Sequence, residues 1–435
     1  MKKFLLTSFA IAAISLQAQT WTTQNTMYTN ASTGIEKFSI VDANTLWSFP
    51  YDGTGSTTTN YKQISTTTNG GTTWNYKAIT FGLSTSHISD ICAVSATQAW
   101  LACYGASGVS GNGVYVTSDG GTTWTKQTTA PFNVATSFPN VVHFWDANNG
   151  MVMGDPNAAG VFEIYTTTNG GTTWTALPAA NVPAAESGEY GYTRMAEVVG
   201  NTIWFGTNHG RIYKSDDKGY NWTVVPTPIG DFGSATQSGK FTVKDSNNAW
   251  LLDSTGLVIY ETTDGGANWN AVSTSGTILN SDLGYVPGTT KTLINTGSGG
   301  SQVSYDGGVN WTVIDTTQKV TLGILNSSNI WAGGFTTGTG TASTGGAFKL
   351  SPLLGTSEVS IKNSLSVAPN PTKGEVTISS KNTVKSMQLL DLSGKIVKTF
   401  GNVKQLDLSS LKAGVYMLHV TTVDGKTTAT KVVKQ

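Results

Sequence analysis

The chain has 435 residues with 26 basic and 26 acidic side chains, so its formal net charge is zero and only 12% of it is charged. That balance lacks the basic footprint of a nucleic-acid binder, and a 10% aromatic share without heptads or a Gly-X-Y period excludes coiled coil, collagen and disorder. Fifty glycines, with abundant Thr, Ser, Trp and Tyr, predict an all-β chain of short strands and tight turns.

At the N-terminus, Met1–Lys3 is basic, Phe4–Leu16 is an apolar run broken by three hydroxyl residues, and Ala18 is small. Residues 1–18 therefore read as a secretory signal peptide, too short to span a bilayer. No later apolar run is long enough for a membrane helix, so no transmembrane segment is expected. Cys92 and Cys103 are the only cysteines and flank the turn Ser95–Gln98. Export into an oxidising compartment predicts a cross-strand disulfide within that hairpin, two buried thiols being the other reading. A lone Cys pair without nearby His offers no metal site. His87, His143, His209 and His419 are scattered without ligand spacing.

One octapeptide, Ser/Thr-x-Asp/Asn-x-Gly-x-x-Trp, recurs six times. Its acid or amide falls at Asn69, Asp119, Asn169, Asp217, Asp264 and Asp306, and its Trp at Trp74, Trp124, Trp174, Trp222, Trp269 and Trp311. The Trp spacings of 50, 50, 48, 47 and 42 have the period of a propeller or solenoid. A fainter signature lies between them, a polar turn followed by Trp47, Trp100, Met151, Trp204, Trp250 or Trp331, with Tyr285–Gly297 filling the remaining place. Seven hairpins thus accompany six octapeptides. Trp21 precedes Trp47 by 26 residues, as Trp74 precedes Trp100, and so behaves as a seventh outer-strand Trp. The predicted fold is a seven-bladed β-propeller over 19–352, closed by an N-terminal strand set beside Ala347–Leu350, which removes the free sheet edges of an open array.

The octapeptide resembles the Asp-box, or BNR repeat, of sialidases and related propellers. In that resemblance the repeat is a structural turn: the acid or amide oxygen accepts backbone N–H groups, Gly takes positive φ, and Trp packs back over the hairpin. The repeats also resemble those of the photosystem II assembly factor-like group, in which a single seven-bladed ring binds other proteins. Sialidase chemistry needs three arginines on a carboxylate, and this chain has only Arg194 and Arg211. Xyloglucanase-type enzymes carry the repeat too, but as two facing propellers, and one is expected here.

In a four-stranded blade the octapeptide turns lie on one face, and the second-to-third loops and blade crossings on the other, where a ligand is expected. The crossing Thr175–Ala196 is the longest and richest in charge and aromatics. It and its neighbours supply candidate catalytic carboxylates, Asp155 with Glu186 or Glu189, and candidate binding residues Tyr190, Tyr192, Arg194 and His209. The bland alternative is solvated loop acids with one ion pair. No phosphate loop, G-x-S-x-G, H-E-x-x-H or EF-hand pattern occurs, and no cofactor is expected.

After a linker over 353–363, residues 364–435 turn Lys-rich. From Glu358 to Gln435 eleven Lys face five acids, whereas Thr20–Thr356 is net −8. Six or seven short alternating segments predict a small β-sandwich. Pro369-Asn370-Pro371, the Asp391-x-x-Gly394-Lys395 turn and Gly414-x-Tyr416 resemble the type A sorting domain of the type IX secretion system. That resemblance implies a Bacteroidetes-type envelope, contact with the type IX machinery, and a destination outside the cell or on its surface. The chain is thus expected to be a monomeric, non-enzymatic propeller binding an extracellular polysaccharide or protein, with a glycoside hydrolase or lyase as the alternative.

Overall fold

The computed structural model describes residues 19–55, 61–80, 86–105, 111–134, 136–353, 365–380, 383–391, 395–423 and 427–435. The predicted signal peptide, all but residue 353 of the linker, and Gly394 lie outside the described residues. The chain divides into two compact units, Met1–Gly355 and Thr356–Gln435.

In the first unit the hydrophobic segments form meanders of antiparallel strands, each joined to the next by polar turns. Sheet 2 runs Ser86–Ala93, Ala99–Gly105, Gly113–Thr117 and Thr125–Gln127. Sheet 3 is Pro139–Phe144, Gly150–Pro156, Phe162–Thr167 and Thr175–Ala176, and sheet 4 is Gly191–Val199, Thr202–Thr207, Arg211–Ser215 and Thr223–Pro226. Sheets 5 and 6 repeat the pattern from Gly239–Val243 to Asn270–Ala271 and from Asp282–Tyr285 to Thr312–Asp315. The remaining strands make one eight-stranded sheet, in which Thr33–Ile40 to Asn75–Ala78 (sheet 1) meets Thr321–Asn326, Asn329–Thr337, Thr344–Leu350 and Trp21–Asn25 (the last group) only at the pair Gly34 and Phe335. Trp21–Asn25 runs antiparallel to Thr344–Leu350, with Trp21 opposite Leu350 and Gln24 opposite Ala347.

The second and third strands of these sheets bury residues on both faces, whereas fourth strands such as Asn75–Ala78 and Thr175–Ala176 stay largely exposed. Trp47, Phe49 and Ile64 of sheet 1 pack with Ile88, Ile91 and Leu101 of sheet 2, and Val141, Met151 and Phe162 of sheet 3 with Ile203, Phe205 and Tyr213 of sheet 4. Ile35, Leu46 and Trp74 pack with Trp331 and Ala347, which joins the last strands to the first. Full burial of each such side chain stabilises by about 1.5–3 kcal/mol.

The six octapeptides share one hydrogen-bond pattern. The first hydroxyl donates to the acid or amide oxygen of the third residue at 2.8–3.0 Å. The fifth-position Gly N–H returns to that hydroxyl at 2.8–3.0 Å, and the seventh N–H reaches the third side chain at 2.9–3.0 Å. Positions four and five have φ between +63° and +96°, which favours Gly and is borne by Lys218 alone among other residue types. The Asn268 side chain and backbone N–H hold the Asp264 carboxyl below its usual range. Because the Asp264 side chain bonds only within its own turn, to Thr262 and Asn268, Asp264→Ala is expected to lower the melting temperature by a few degrees (~3 °C) and to leave ligand binding unchanged. Calorimetry with a binding assay checks both; a folded variant that has lost its ligand contradicts the turn's structural role.

Cys92 and Cys103 are both free and buried, which corrects the expected disulfide. Cys92 stands opposite Trp100, and Cys103 opposite Ile88, beyond a bulge at Ser89. Their side chains leave opposite faces of sheet 2, Cys103 toward sheet 1 and Cys92 toward Val142 and Phe144 of sheet 3. A disulfide needs Cβ atoms about 3.5–4.5 Å apart and facing one another, which strands exposing alternate faces do not provide. Burial pushes the Cys92 thiol up to about 11, further from the reactive thiolate.

The second unit stacks Leu365–Ala368, Glu375–Ser380 and Gln405–Asp407 on Ile396–Phe400, Val384–Leu390, Gly414–Thr422 and Thr427–Lys434. Val376, Ile378 and Leu406 from one sheet meet Met387, Leu389, Leu418 and Val432 from the other. Asn370 clamps the final strand, accepting the Val433 N–H at 2.8 Å and donating to Lys431 O at 2.6 Å, between Pro369 and Pro371. Asp391 accepts the Lys395 N–H at 3.1 Å, Gly414 pairs with Lys434, and the Tyr416 hydroxyl donates to Lys412 O at 2.8 Å.

Candidate functional site

Strand alternation puts the second-to-third loops and the sheet crossings on the face opposite the octapeptide turns. On that face the crossing between sheets 3 and 4 folds over its own carboxylate. Glu189 is 4% exposed and bound on every side. Its oxygens accept Arg211 Nε at 3.0 Å, Arg211 Nη2, Thr207 Oγ1 at 2.7 Å and the Glu186 N–H at 2.8 Å. Burial alone would raise this carboxyl, but the bonds from Arg211, Glu186 N–H and Thr207 outweigh it and hold it below the usual Glu range. Glu189 raises the Arg211 guanidinium in return.

Glu186 is exposed beside this pair, 2.9 Å from His209 Nδ1 and 3.3 Å from Arg211 Nη1. Tyr190 is 43% exposed, its N–H bound to Asn208 Oδ1 at 2.7 Å, and its ring meets Tyr192 at 5.5 Å. The Tyr192 hydroxyl leaves for Asp231 on the next crossing. Asp155, at the end of its strand, accepts Asn140 Nδ2 at 2.6 Å and the Gly191 N–H at 3.0 Å through one oxygen. Burial pushes it up to about 6 despite those bonds. The structure thus gathers Asp155, Glu186, Glu189, Tyr190 and His209 around one crossing.

Arg194 does not join them. Its guanidinium turns inward to Glu36 on sheet 1, with Nη2 at 2.8 Å, and to Ser89 O on sheet 2, with Nη1 at 2.8 Å. Three partners went unread in the sequence: Arg211, Glu36 and Asn140. Arg211 carried a signal, being one of two arginines and two residues beyond His209; Glu36 and Asn140 carried none, because each meets its partner through the stacking of sheets. Further along the inner strands, Lys37 and Asp90 pair at 2.6 Å, and burial with the nearby charge of Asp282 pushes Glu197 up to about 8. Among the described residues no group of three or more His, Cys, Asp or Glu is arranged to hold a metal ion, and no helix is long and apolar enough to cross a membrane.

Residues 366–435 match the family model of the secretion system C-terminal sorting domain. The C-terminal unit is a secretion sorting domain. Such a tail implies contact with the type IX secretion machinery and secretion to the cell surface or beyond. The chain is also similar to solved β-propellers. YCF48 bound to a D1 peptide aligns with TM-score 0.53 and 15% identity, covering 78% of this chain and 97% of that one. YCF48 from Cyanidioschyzon merolae aligns with TM-score 0.52 and 16% identity, covering 77% and 99%. PorZ, a surface component of the type IX secretion system of Porphyromonas gingivalis, aligns with TM-score 0.47 and 14% identity, covering 92% and 59%. At these identities the likeness to YCF48 speaks for the fold alone, an all-β propeller. No curated protein matches the chain.

Proposed function

We propose that the chain is an exported binding protein, a seven-bladed propeller over 19–352 whose N-terminal strand completes the last blade, and which holds an extracellular polysaccharide or protein on its loop face. The seven-blade reading is supported by five separate four-stranded sheets and by an eight-stranded sheet that parts at a single pair. The cluster joining Leu46 and Trp74 to Trp331 supports a closed ring. The octapeptide turns and their Trp residues are its structural Asp-box repeats, and the Pro369–Tyr416 motifs its type A sorting signal, following a signal peptide at 1–18.

The observation that carries binding over catalysis is the state of Glu189. A carboxylate that spends both oxygens on Arg211, Thr207 and a backbone N–H has no lone pair free for attack or for taking a proton. Two-carboxylate glycoside hydrolysis thereby keeps only Glu186 as a partner for Asp155, and Glu186 is itself engaged by His209 and Arg211. The second reading, a polysaccharide hydrolase or lyase, keeps one supporting fact: Asp155 is raised to about 6 and can carry a proton near neutral pH.

Asp155→Asn separates the two. An acid whose folded pKa exceeds its unfolded value opposes folding once ionised, increasingly as pH climbs from the ordinary Asp value to about 6. Asn keeps an acceptor for Asn140 and Gly191. The variant is expected to gain on the order of 2 kcal/mol at pH 7 and almost nothing at pH 4, measured by urea unfolding at both. A polysaccharide-cleaving activity that vanishes in this variant would overturn the binding reading. For the address, deletion of residues 364–435 is expected to strand the propeller in the periplasm, seen by cell fractionation; unchanged export contradicts it.

A further inference from the structure

Four residues beyond the aromatic or Met of each hairpin lies an equivalent position at the loop-face end of the second strand. Counted from Trp331, Trp47, Trp100 and Met151, it is Phe335, Tyr51, Tyr104 and Asp155. Three half-buried rings on successive sheets therefore adjoin a half-buried carboxylate. Phe335 and Tyr51 meet edge-on at 5.9 Å. They close over Gly34 and Gly53, where a Cβ would lie 2.3 Å from a Tyr51 or Phe335 ring carbon. Tyr104 stacks on His87 at 5.1 Å and on Phe138 at 4.2 Å.

Arg194 spans the space inside this arc. It reaches from sheet 4 to Glu36 and Ser89 O, with its backbone at φ +62°, a left-handed conformation uncommon for a non-Gly residue. Such an outlier persists only when its surroundings enforce it, and it points toward function.

A second observation points to a ligand. Asn140 is fully buried, and its Oδ1 has no hydrogen-bond partner, while its Nδ2 is committed to Asp155 Oδ1. Ser89 Oγ, also fully buried, is likewise unpartnered. The second Asp155 oxygen takes no bond from a described residue. Of these three residues only Asp155 has surface open to an outside donor.

We infer that this mouth binds a neutral polysaccharide, with pyranose rings laid against Tyr51 and the exposed edge of Tyr104 and a sugar hydroxyl donating to the second Asp155 oxygen. This deepens the binding reading above and rests on it. A sugar ring offers an apolar C–H face and adjacent hydroxyl donors together, which is what an aromatic arc beside a free carboxylate oxygen accommodates. The charges nearest the arc pair off, Glu36 with Arg194 and Lys37 with Asp90, and the remaining Asp155 carboxylate would repel an anionic polymer.

The test is affinity electrophoresis of the purified full chain in three gels, containing a neutral glucomannan, an anionic polygalacturonate, or gelatin as a peptide probe. Retardation is expected in glucomannan alone. Tyr104→Ala and Tyr51→Ala, on different sheets, should each weaken it at least about tenfold, equivalent to about 1.4 kcal/mol. Tyr220→Ala, an exposed ring in an octapeptide turn, should not. Binding to gelatin alone would overturn the sugar assignment and keep the binding protein. Glucomannan binding that survives both Tyr variants would overturn the mouth and keep the ligand class. No retardation in any gel would count against binding itself.

Discussion

Trp21→Ala is expected to lower the melting temperature by about 5–10 °C, one of the two largest effects in the molecule. The ring covers Lys319, a lysine with no exposed surface, whose ammonium lies 5.1 Å from the Trp21 ring and 4.7 Å from Phe348. Asp315 at 2.6 Å and Thr317 O at 3.0 Å complete its shell. The Trp21 indole N–H donates to Ser301 Oγ at 2.8 Å, which in turn donates to Asp315 at 2.6 Å. Removing the indole forfeits the cation–π contact, the bond to Ser301 and the packing over Lys319, a loss that renewed hydration of the ammonium only partly offsets. It also weakens the hold of Trp21–Asn25 on Thr344–Leu350, whose outer edge would then be free to pair with another chain. Trp21→Phe keeps a ring over Lys319 and should lose about half as much. Calorimetry on both variants checks this; a Trp21→Ala protein as stable as the parent means the N-terminal strand contributes nothing to the stability of the first unit.

Arg211→Ala is expected to cost about 3–5 kcal/mol at neutral pH, because it leaves the Glu189 carboxylate buried without its counter-charge. The sign with pH is distinctive. In the parent, Glu189 lies below the ordinary Glu value, so its contribution is present above that value and is lost as pH falls through the lowered one. In the variant, burial acts unopposed and favours the neutral acid. The gap between the two proteins should therefore be widest at pH 7 and shrink toward pH 4. Urea unfolding across that range reads it directly; a gap independent of pH would mean that packing, and not the ion pair, holds the crossing.

The repeat was legible in the sequence because a turn writes its needs locally. A hydroxyl, an acid or amide, a Gly and a Trp within eight residues specify a hydrogen-bond pattern that all six copies form. The interval from Trp21 to Trp47 pointed at the N-terminal segment in the same way. Long-range chemistry was not written so plainly. Glu36 and Arg194 lie 158 residues apart, and Asn140 meets Asp155 only because their strands pair near a bulge. The disulfide failed for a related reason: counting residues around a turn does not fix which sheet face each Cys leaves, and the bulge at Ser89 shifts the register between them. Among the site residues, density of charge located the crossing at Glu186–Tyr190, yet it could not distinguish Glu189, spent on Arg211, from Asp155, which keeps an oxygen free.

Binding and bond cleavage measured on one sample test the central claim most directly. The purified chain is held with a neutral polysaccharide for several days at pH 6, near the Asp155 value, while equilibrium binding and the release of new reducing ends are followed together. A pure binding protein predicts saturable binding with no reducing ends above the protein-free control. Reducing ends that accumulate steadily and stop with Asp155→Asn would make the chain an enzyme.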